Sequence, residues 1–179
     1  MLFPKPYADV VAKFRVPSGF LLVIAFAWLA KPSLHALAVG VPVSLMGLWL
    51  RGWAAGHLAK NQQLAAGGPY AYVRNPLYVG TLLVAAGLVI ATRRVELALL
   101  FGATFLFVYL PVIQNEEQHL RKIFPDYATY ARRVPALIPY KAPLKASGRF
   151  RSELYMCNQE YQALLGYVAG LSYLVWRAI

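Results

Sequence analysis

Five apolar runs, at about residues 18–30, 35–50, 77–92, 97–113 and 161–176, leave this chain few ways to fold. The last four hold about 16 residues each, without a single Asp, Glu, Lys or Arg, enough for helices of roughly 25 Å at about 1.5 Å per residue. That is slightly short of a bilayer core of roughly 30 Å, so flanking Lys, Arg, Trp and Tyr must snorkel or the bilayer must thin. A soluble core cannot absorb the runs, because 59% of the 179 residues are apolar and only 14% are charged. The expected fold is all-α, an integral-membrane bundle of about five transmembrane helices forming one domain over 1–179. The first run follows Lys5, Lys13 and Arg15 and has the outline of a secretory signal. Four further runs behind it make a first transmembrane helix the better reading.

The charges are lopsided, 18 Lys+Arg against 7 Asp+Glu, for a net +11. In a polar chain that excess points to nucleic acid; in an apolar one it points to cytoplasmic loops and anionic lipids, and no nucleic-acid partner is expected. With the N-terminus in the cytoplasm, that side collects Lys5, Lys13, Arg15, Arg51, Lys60, Arg74, Arg121, Lys122, Arg132, Arg133, Lys141, Lys145, Arg149 and Arg151. Only Lys31, Arg93, Arg94 and Arg177 fall on the far side, with the C-terminus. The short link 92–96 forces an antiparallel helical hairpin with Arg93-Arg94 near its tip. Two polar cytoplasmic stretches remain, about 51–75 and 114–160, and chemistry is expected where they meet.

The first stretch ends in Gly67-Gly68-Pro69-Tyr70-Ala71-Tyr72-Val73-Arg74-Asn75-Pro76-Leu77-Tyr78-Val79-Gly80. Asn75 before Pro76 marks a helix start, with Asn as N-cap and Pro at the first helical position, where its missing N–H is harmless. Taken alone, this only begins the third span. It also leaves first-turn N–H groups at the interface, where they can bind an anionic or acceptor-rich group, with Tyr78 about one turn inside. The second stretch opens with Gln114-Asn115-Glu116-Glu117-Gln118-His119-Leu120. Carboxylates at a helix C-terminus oppose its dipole, so something besides helix stability keeps them there; a solvated pair at the membrane edge is the plain alternative. Consecutive residues lie about 100° apart, so only one of the two can face a given pocket. Phe124, Tyr127 and Tyr130, beside Arg132 and Arg133, read as an interfacial helix first and a ligand lid second.

Other chemistry is poorly represented. His35, His57 and His119 match no metal-ligand spacing, and no metal is expected. The single cysteine, Cys157, excludes an internal disulfide and reads as a packing residue. No Walker loop, G-x-G-x-x-G or G-x-S-x-G occurs.

Taken together, Gly68-Pro69-Tyr70, Arg74-Asn75-Pro76-Leu77-Tyr78-Val79-Gly80, then Glu116-Glu117, Leu120, Phe124, Tyr127, Tyr130, Val134-Pro135 and Ile138-Pro139 resemble the isoprenylcysteine carboxyl methyltransferase family. That family is related to integral-membrane phospholipid methyltransferases, and the likeness covers about residues 45–140. It implies an S-adenosylmethionine-dependent enzyme with its cofactor pocket at the cytoplasmic face, built without a Rossmann fold. It also implies a lipophilic small-molecule acceptor, such as a prenylcysteine-like carboxylate, a lipid amine or a thiol, reached among membrane lipids. By position, the resemblance puts Tyr70, Asn75, Pro76, Leu77 and Tyr78 at the cofactor, with Glu116 and, beside it, Glu117 as carboxylates. Gln62-Gln63-Leu64-Ala65 would add backbone contacts. Tyr78, Arg74, Gln114 and Asn115 are positioning candidates, and no catalytic residue is assigned. These residue types suit such a cofactor, with helix-start N–H groups for a methionyl carboxylate or adenine, a carboxylate for ribose hydroxyls or an amino group, and aromatic faces for a sulfonium.

Two departures matter. Asn75 stands where many members have the histidine of Arg-His-Pro, which excludes a histidine general base at that position. Val112 stands where members acting on prenylcysteine carboxylates have an arginine, about one turn before the acidic pair; either Gln114 or Asn115 replaces it, or the acceptor is an uncharged or differently charged group. Methyl transfer from a sulfonium is an in-line displacement on an activated carbon, so positioning and desolvation supply most of the catalysis. Two other functions stay open at this point. One is an integral-membrane NADPH-dependent sterol-type reductase, which NADPH rather than S-adenosylmethionine would stabilise. The other is a non-catalytic scaffold or small transporter, whose polar loop residues would be replaceable without loss of ligand binding.

Overall fold

Prolines open the first helix. In the computed structural model, which describes residues 3–144 and 148–179, α1 runs over Lys5–Leu29 with Pro4 as its N-cap and Pro6 in the first turn. Neither position needs its N–H. Lys145, counted above among the cytoplasmic cations, lies outside the described residues. The helix thus starts well before the apolar run at 18 and continues through Pro17, whose ring deprives the Lys13 carbonyl of its usual partner. Hydropathy marks where a helix meets lipid, not where it begins.

The remaining elements are α2 (Leu34–Ala55), a 3-10 turn at Gly68–Ala71, α3 (Pro76–Thr92), α4 (Val95–Ile123), α5 (Tyr127–Arg133), α6 (Ser152–Cys157) and α7 (Tyr161–Ala178). Among the described residues every regular element is helical, so the fold is an all-α bundle. By length and composition α1, α2 and α4 can cross a membrane. The five expected spans therefore correspond to three helices of crossing length, with α3 (17 residues) and α7 (18 residues) shorter or less apolar beside them. Phe20, Leu21, Val23 and Ile24 are exposed on α1, and Trp28 is 82% exposed. Such a face is at rest in hydrocarbon and unfavourable in water.

The closest packing joins α2 to α3. A Cβ on Gly87 would strike the backbone of Gly40 and both backbone and Oγ of Ser44, and one on Gly47 would strike the Gly80 carbonyl and the Val84 N–H. Small residues on both helices let the backbones approach this closely, and the Ser44 hydroxyl donates to the Val84 carbonyl at 3.1 Å. The pair is antiparallel, since Gly40 meets Gly87 while Gly47 meets Gly80.

The bundle has two ends. At one, the Lys31 N–H donates to the Thr92 carbonyl (3.1 Å) and Arg177 donates to the Ala27 carbonyl (2.6 Å), gathering the ends of α1, α3 and α7. There α3 and α4 are joined by Arg93 and Arg94 alone, with Arg93 in the left-handed region at φ 56°. The expected hairpin has formed. At the other end, Gln114 of α4 exchanges hydrogen bonds with the Phe3 backbone (2.8 and 3.1 Å).

Within α4 the residues Phe105–Tyr109 form a π turn, closed by the Leu110 N–H donating to the Phe105 carbonyl. Pro111 follows it and cannot supply the bond that the Phe107 carbonyl would otherwise accept, which is where such a slip is easiest. Beyond the π turn, α4 continues to Ile123 and carries Gln114 to His119 on its last turns.

Candidate active site

At the end of the bundle that carries Phe3 and Gln114, the helices diverge around a cavity of about 690 Å³. That is a usual size for a small-molecule site. Arg15 of α1, Arg51 of α2, Leu77, Tyr78 and Thr81 of α3, and Tyr109, Glu116, His119 and Leu120 of α4 line it. Lys60, Asn61, Gln63, Leu64, Ala65, Tyr70, Arg74 and Phe124 line it from the intervening segments, as do Tyr127 and Tyr130 of α5 and, from near the chain's end, Asn158 and Glu160.

Glu116 and Glu117 turn to opposite sides, as their 100° separation requires. Glu116 faces the cavity, where its Oε1 accepts from the Tyr78 hydroxyl (3.0 Å) and from Arg15 Nη1 (3.3 Å). The Arg15 guanidinium lies 5.5 Å from the centroid of the Tyr78 ring and 6.0 Å from that of Tyr109. Glu117 instead takes a bidentate grip from Arg74, Nε to Oε1 at 2.9 Å and Nη2 to Oε2 at 3.1 Å. Arg74 Nη1 also donates to the carbonyls of Ala131 (2.9 Å) and Val134 (2.7 Å). Burial opposes the Arg74 charge, but the hydrogen bonds and negative charge of Glu117 outweigh it and leave its pKa above the usual value. The backbone N–H groups of Arg74 and Asn75 donate to the Pro135 and Ala136 carbonyls (2.8 and 3.1 Å), fastening the segment after α5 to the start of α3.

A second buried pair closes the cavity wall. Arg51 donates Nε and Nη2 to the two oxygens of Glu160 (2.5 and 2.9 Å), and Nη1 to Thr81. Asn158 secures the same segment by donating to the Ala55 and Leu58 carbonyls (3.0 and 2.9 Å).

Three phenols crowd the α5 end. The Tyr130 hydroxyl donates to the Tyr70 carbonyl at 2.7 Å, and the Tyr127 and Tyr130 rings meet edge to face at 5.9 Å. Burial, reinforced by neighbouring phenols and carboxylates, raises the pKa of Tyr70 and Tyr130, and burial with the Glu117 charge pushes Tyr127 up to about 12. Because these folded-state values are raised, the stability contributed by the neutral phenols is complete below the ordinary pKa of about 10. For Tyr127 it is lost as pH rises from there through about 12. Scanning calorimetry in detergent should therefore show the unfolding temperature falling between pH 10 and about 12, with Tyr127→Phe losing part of that fall.

Of the residues singled out in the sequence, Tyr70, Leu77, Tyr78, Gln63, Leu64, Ala65 and Glu116 come together on the cavity, with Arg74 at its edge. Gln62, Asn75, Pro76 and Glu117 do not line it. Asn75 occupies the N-cap position of α3, but its side chain makes no capping bond. Its amide donates instead to Glu117 Oε1 (3.1 Å) and the Ala136 carbonyl (3.3 Å), the buried carboxylate being the stronger acceptor. Gln114, Glu117 and Arg74 line a neighbouring cavity of about 630 Å³, while Asn115 bonds to Asp9 (3.1 Å). Val112 is buried and lines neither cavity. His57 is turned into the Trp53 carbonyl (2.9 Å), which its ring N–H must face as donor. Among the described residues no group of three or more His, Cys, Asp or Glu could hold a metal ion.

Sequence reading alone missed Arg15, Arg51, Thr81, Tyr109, Asn158 and Glu160 on the cavity wall. Glu160 carried a usable signal: it is one of seven acids and immediately precedes the last apolar run.

Comparison with known proteins bears on this end of the bundle. The chain is 35% identical over 113 residues to the cobalt-zinc-cadmium resistance protein CzcN of Cupriavidus metallidurans, covering 63% of this chain and 51% of the relative. It is 34% identical over 113 residues to the nickel-cobalt-cadmium resistance protein NccN of Alcaligenes xylosoxydans xylosoxydans, covering 63% and 52%. It is 30% identical over 141 residues to the protein-S-isoprenylcysteine O-methyltransferase of Schizosaccharomyces pombe, covering 75% and 59%. The chain thus spans about half to three-fifths of the length of these relatives. No solved structure matches. Residues 17–127, which carry α2 to α4 and the Tyr78–Glu116 contact, match the phospholipid methyltransferase (PEMT) family, and the chain belongs to that family of membrane methyltransferases.

Proposed function

We propose that this chain is an S-adenosylmethionine-dependent methyltransferase, one domain over 1–179, whose cofactor occupies the 690 Å³ cavity and whose acceptor is a lipophilic small molecule arriving from the bilayer. The observation that carries the reading is the contact of Tyr78 with Glu116 (3.0 Å), which joins the family's two motif blocks inside one cavity. The lining suits the group. Glu116 offers a half-exposed carboxylate to an amino group or ribose hydroxyl, Tyr78 and Tyr109 offer aromatic faces to a cation, and α5 contributes an apolar, aromatic wall.

When bound, S-adenosylmethionine supplies a methyl carbon already activated by positive sulfur, so the protein need only align it and keep water out. Tyr78 and Arg15 hold the Glu116 carboxylate in place, and the Arg51–Glu160 pair shuts one wall. Lys31, Arg93 and Arg177 cluster at the end opposite the cavity, which supports the cavity end facing the cytoplasm, α3 and α7 completing five spans and the C-terminus lying outside. Gln62, Asn75, Pro76 and Glu117 then act behind the cavity wall rather than on the cofactor.

Calorimetry on detergent-purified protein should detect S-adenosylmethionine binding, and Glu116→Gln should weaken it by about tenfold, the value of one charge-assisted contact. Radiolabelled transfer into a native lipid extract should then yield a labelled lipophilic product for mass spectrometry. Absence of binding at millimolar cofactor would reject the proposal.

A further inference from the structure

The neighbouring cavity of about 630 Å³ lies along a different face of α4 from the one that carries Tyr109, Glu116 and Leu120. Leu110, Ile113, Gln114, Glu117, Gln118 and Arg121 line it from that helix. Steps of three and one keep these six on one stripe, roughly 16 Å long at about 1.5 Å per residue. The stripe is graded. Leu110 and the buried Ile113, with Leu137 opposite, pack in the apolar cluster of Tyr78 and Phe105. From Gln114 onward every member is polar, and Arg121 lies on the last turn.

Two of the polar groups are already committed. Glu117 accepts from Arg74 and Asn75, and the Gln114 amide is bound at both ends to the Phe3 backbone. Arg121 is not committed. Its exposed guanidinium lies 5.6 Å from the centroid of the Tyr127 ring and forms no ion pair among the described residues. Because Arg74 and Glu117 cancel each other, Arg121 is the one charge on the wall left uncompensated. Arg74 is the residue common to both cavities, and Glu117 with the Ala131 and Val134 carbonyls holds it in place, so the two are distinct sites.

We propose that this second cavity seats an anionic phospholipid of the adjoining leaflet, with one acyl chain along Leu110 and Ile113 and the phosphodiester at Arg121. A cavity apolar at one end and singly cationic at the other, beside a helix of membrane-crossing length, has the polarity of a lipid lying alongside it. A phosphodiester carries one negative charge, equal to the one left over, and its two free oxygens fit the fork of a guanidinium. A cationic headgroup would meet Glu117, whose oxygens are already taken. This lipid is not the methyl acceptor, and its binding does not depend on the cofactor.

Full-length protein in maltoside detergent, titrated with palmitoyl-lysophosphatidylglycerol and followed by native mass spectrometry, should retain a saturable first equivalent. The zwitterionic palmitoyl-lysophosphatidylcholine should bind about fivefold more weakly, the value of one cation facing an anionic headgroup. Arg121→Gln should remove that preference. Arg133→Gln, which takes the same charge from an exposed residue outside both cavities, should leave it intact. Leu110→Phe, which fills the apolar end, should cost the palmitoyl lipid about fivefold relative to its decanoyl counterpart. Leu120→Phe, the same change on the wall of the first cavity, should leave that ratio as it is. The inference is overturned if the two headgroups bind alike, or if Arg121→Gln and Arg133→Gln lose the lipid equally, which would make it adsorption to the basic collar. It is overturned too if Leu110→Phe leaves the chain-length ratio unchanged or Leu120→Phe shifts it as much.

Discussion

Gly87→Leu is expected to leave almost no folded protein in the membrane, as read by detergent-extracted yield and by gel filtration. The added side chain would have to enter space held by the Gly40 carbonyl and by Ser44, both on the facing helix. Neither neighbour can rotate aside, since one is backbone and the other also presents its backbone nitrogen. Relief requires α2 and α3 to separate, and overpacking of this kind costs about 1–3 kcal/mol or more. Separation would also pull Arg51 from Thr81 and part the two helices that carry Arg51 and Tyr78 to the cavity. Gly170→Leu on α7 is the matched control. A Cβ there meets nothing within 4 Å, so yield should stay near wild type. Equal yields from the two variants would show that the close approach of α2 and α3 is not what holds the bundle.

The second large effect separates two adjacent residues. Glu117→Ala should destabilise the protein by about 3–5 kcal/mol, the usual result of removing one partner from a buried pair. Arg74 and Glu117 are only 13% and 16% exposed, and the deserted guanidinium would retain two carbonyl acceptors but no counter-charge. Glu116→Ala removes a half-exposed contact and should cost at most about 1 kcal/mol of stability while weakening cofactor binding by about tenfold or more. Thermal unfolding and ligand titration on both variants give the test, and the expected outcome is a crossed pattern. Adding Arg74→Met to Glu117→Met should recover part of the lost stability, because the stranded charge then disappears.

Much of the architecture was legible because it is local. The expected span at 77–92 is α3 within one residue, since Asn75-Pro76 sets its start and the Arg93-Arg94 tip its end. Helix ends that project beyond the apolar runs were not legible. Polar residues carry α1 back to Lys5 and α4 on to Ile123, and hydropathy is silent about helix that leaves lipid. In the site, angular separation alone put Glu116 and Glu117 on different faces, but not which faced the cavity. The carboxylate partners of Arg15 and Arg51 lie more than 100 residues away, and within the sequence both resembled ordinary members of a basic collar. Asn75 was correctly placed and wrongly employed: a cap by position, it became a second donor to Glu117 because tertiary structure brought a buried carboxylate within reach.

The π turn at Phe105–Tyr109 has a consequence for how this chain can diverge. A turn that takes in one extra residue sets everything after it back by about 100° from its place in an unbroken α-helix, the same angle that separates Glu116 from Glu117. Upstream of the turn α4 is phased to its neighbours in the bilayer; downstream it is phased to the cavity. The turn therefore sets the address of the acidic pair independently of the membrane-facing pattern. Were the turn rewound as ordinary α-helix with no residue lost, Asn115 would take the position of Glu116, and Glu116 that of Glu117, without altering one side chain of the site.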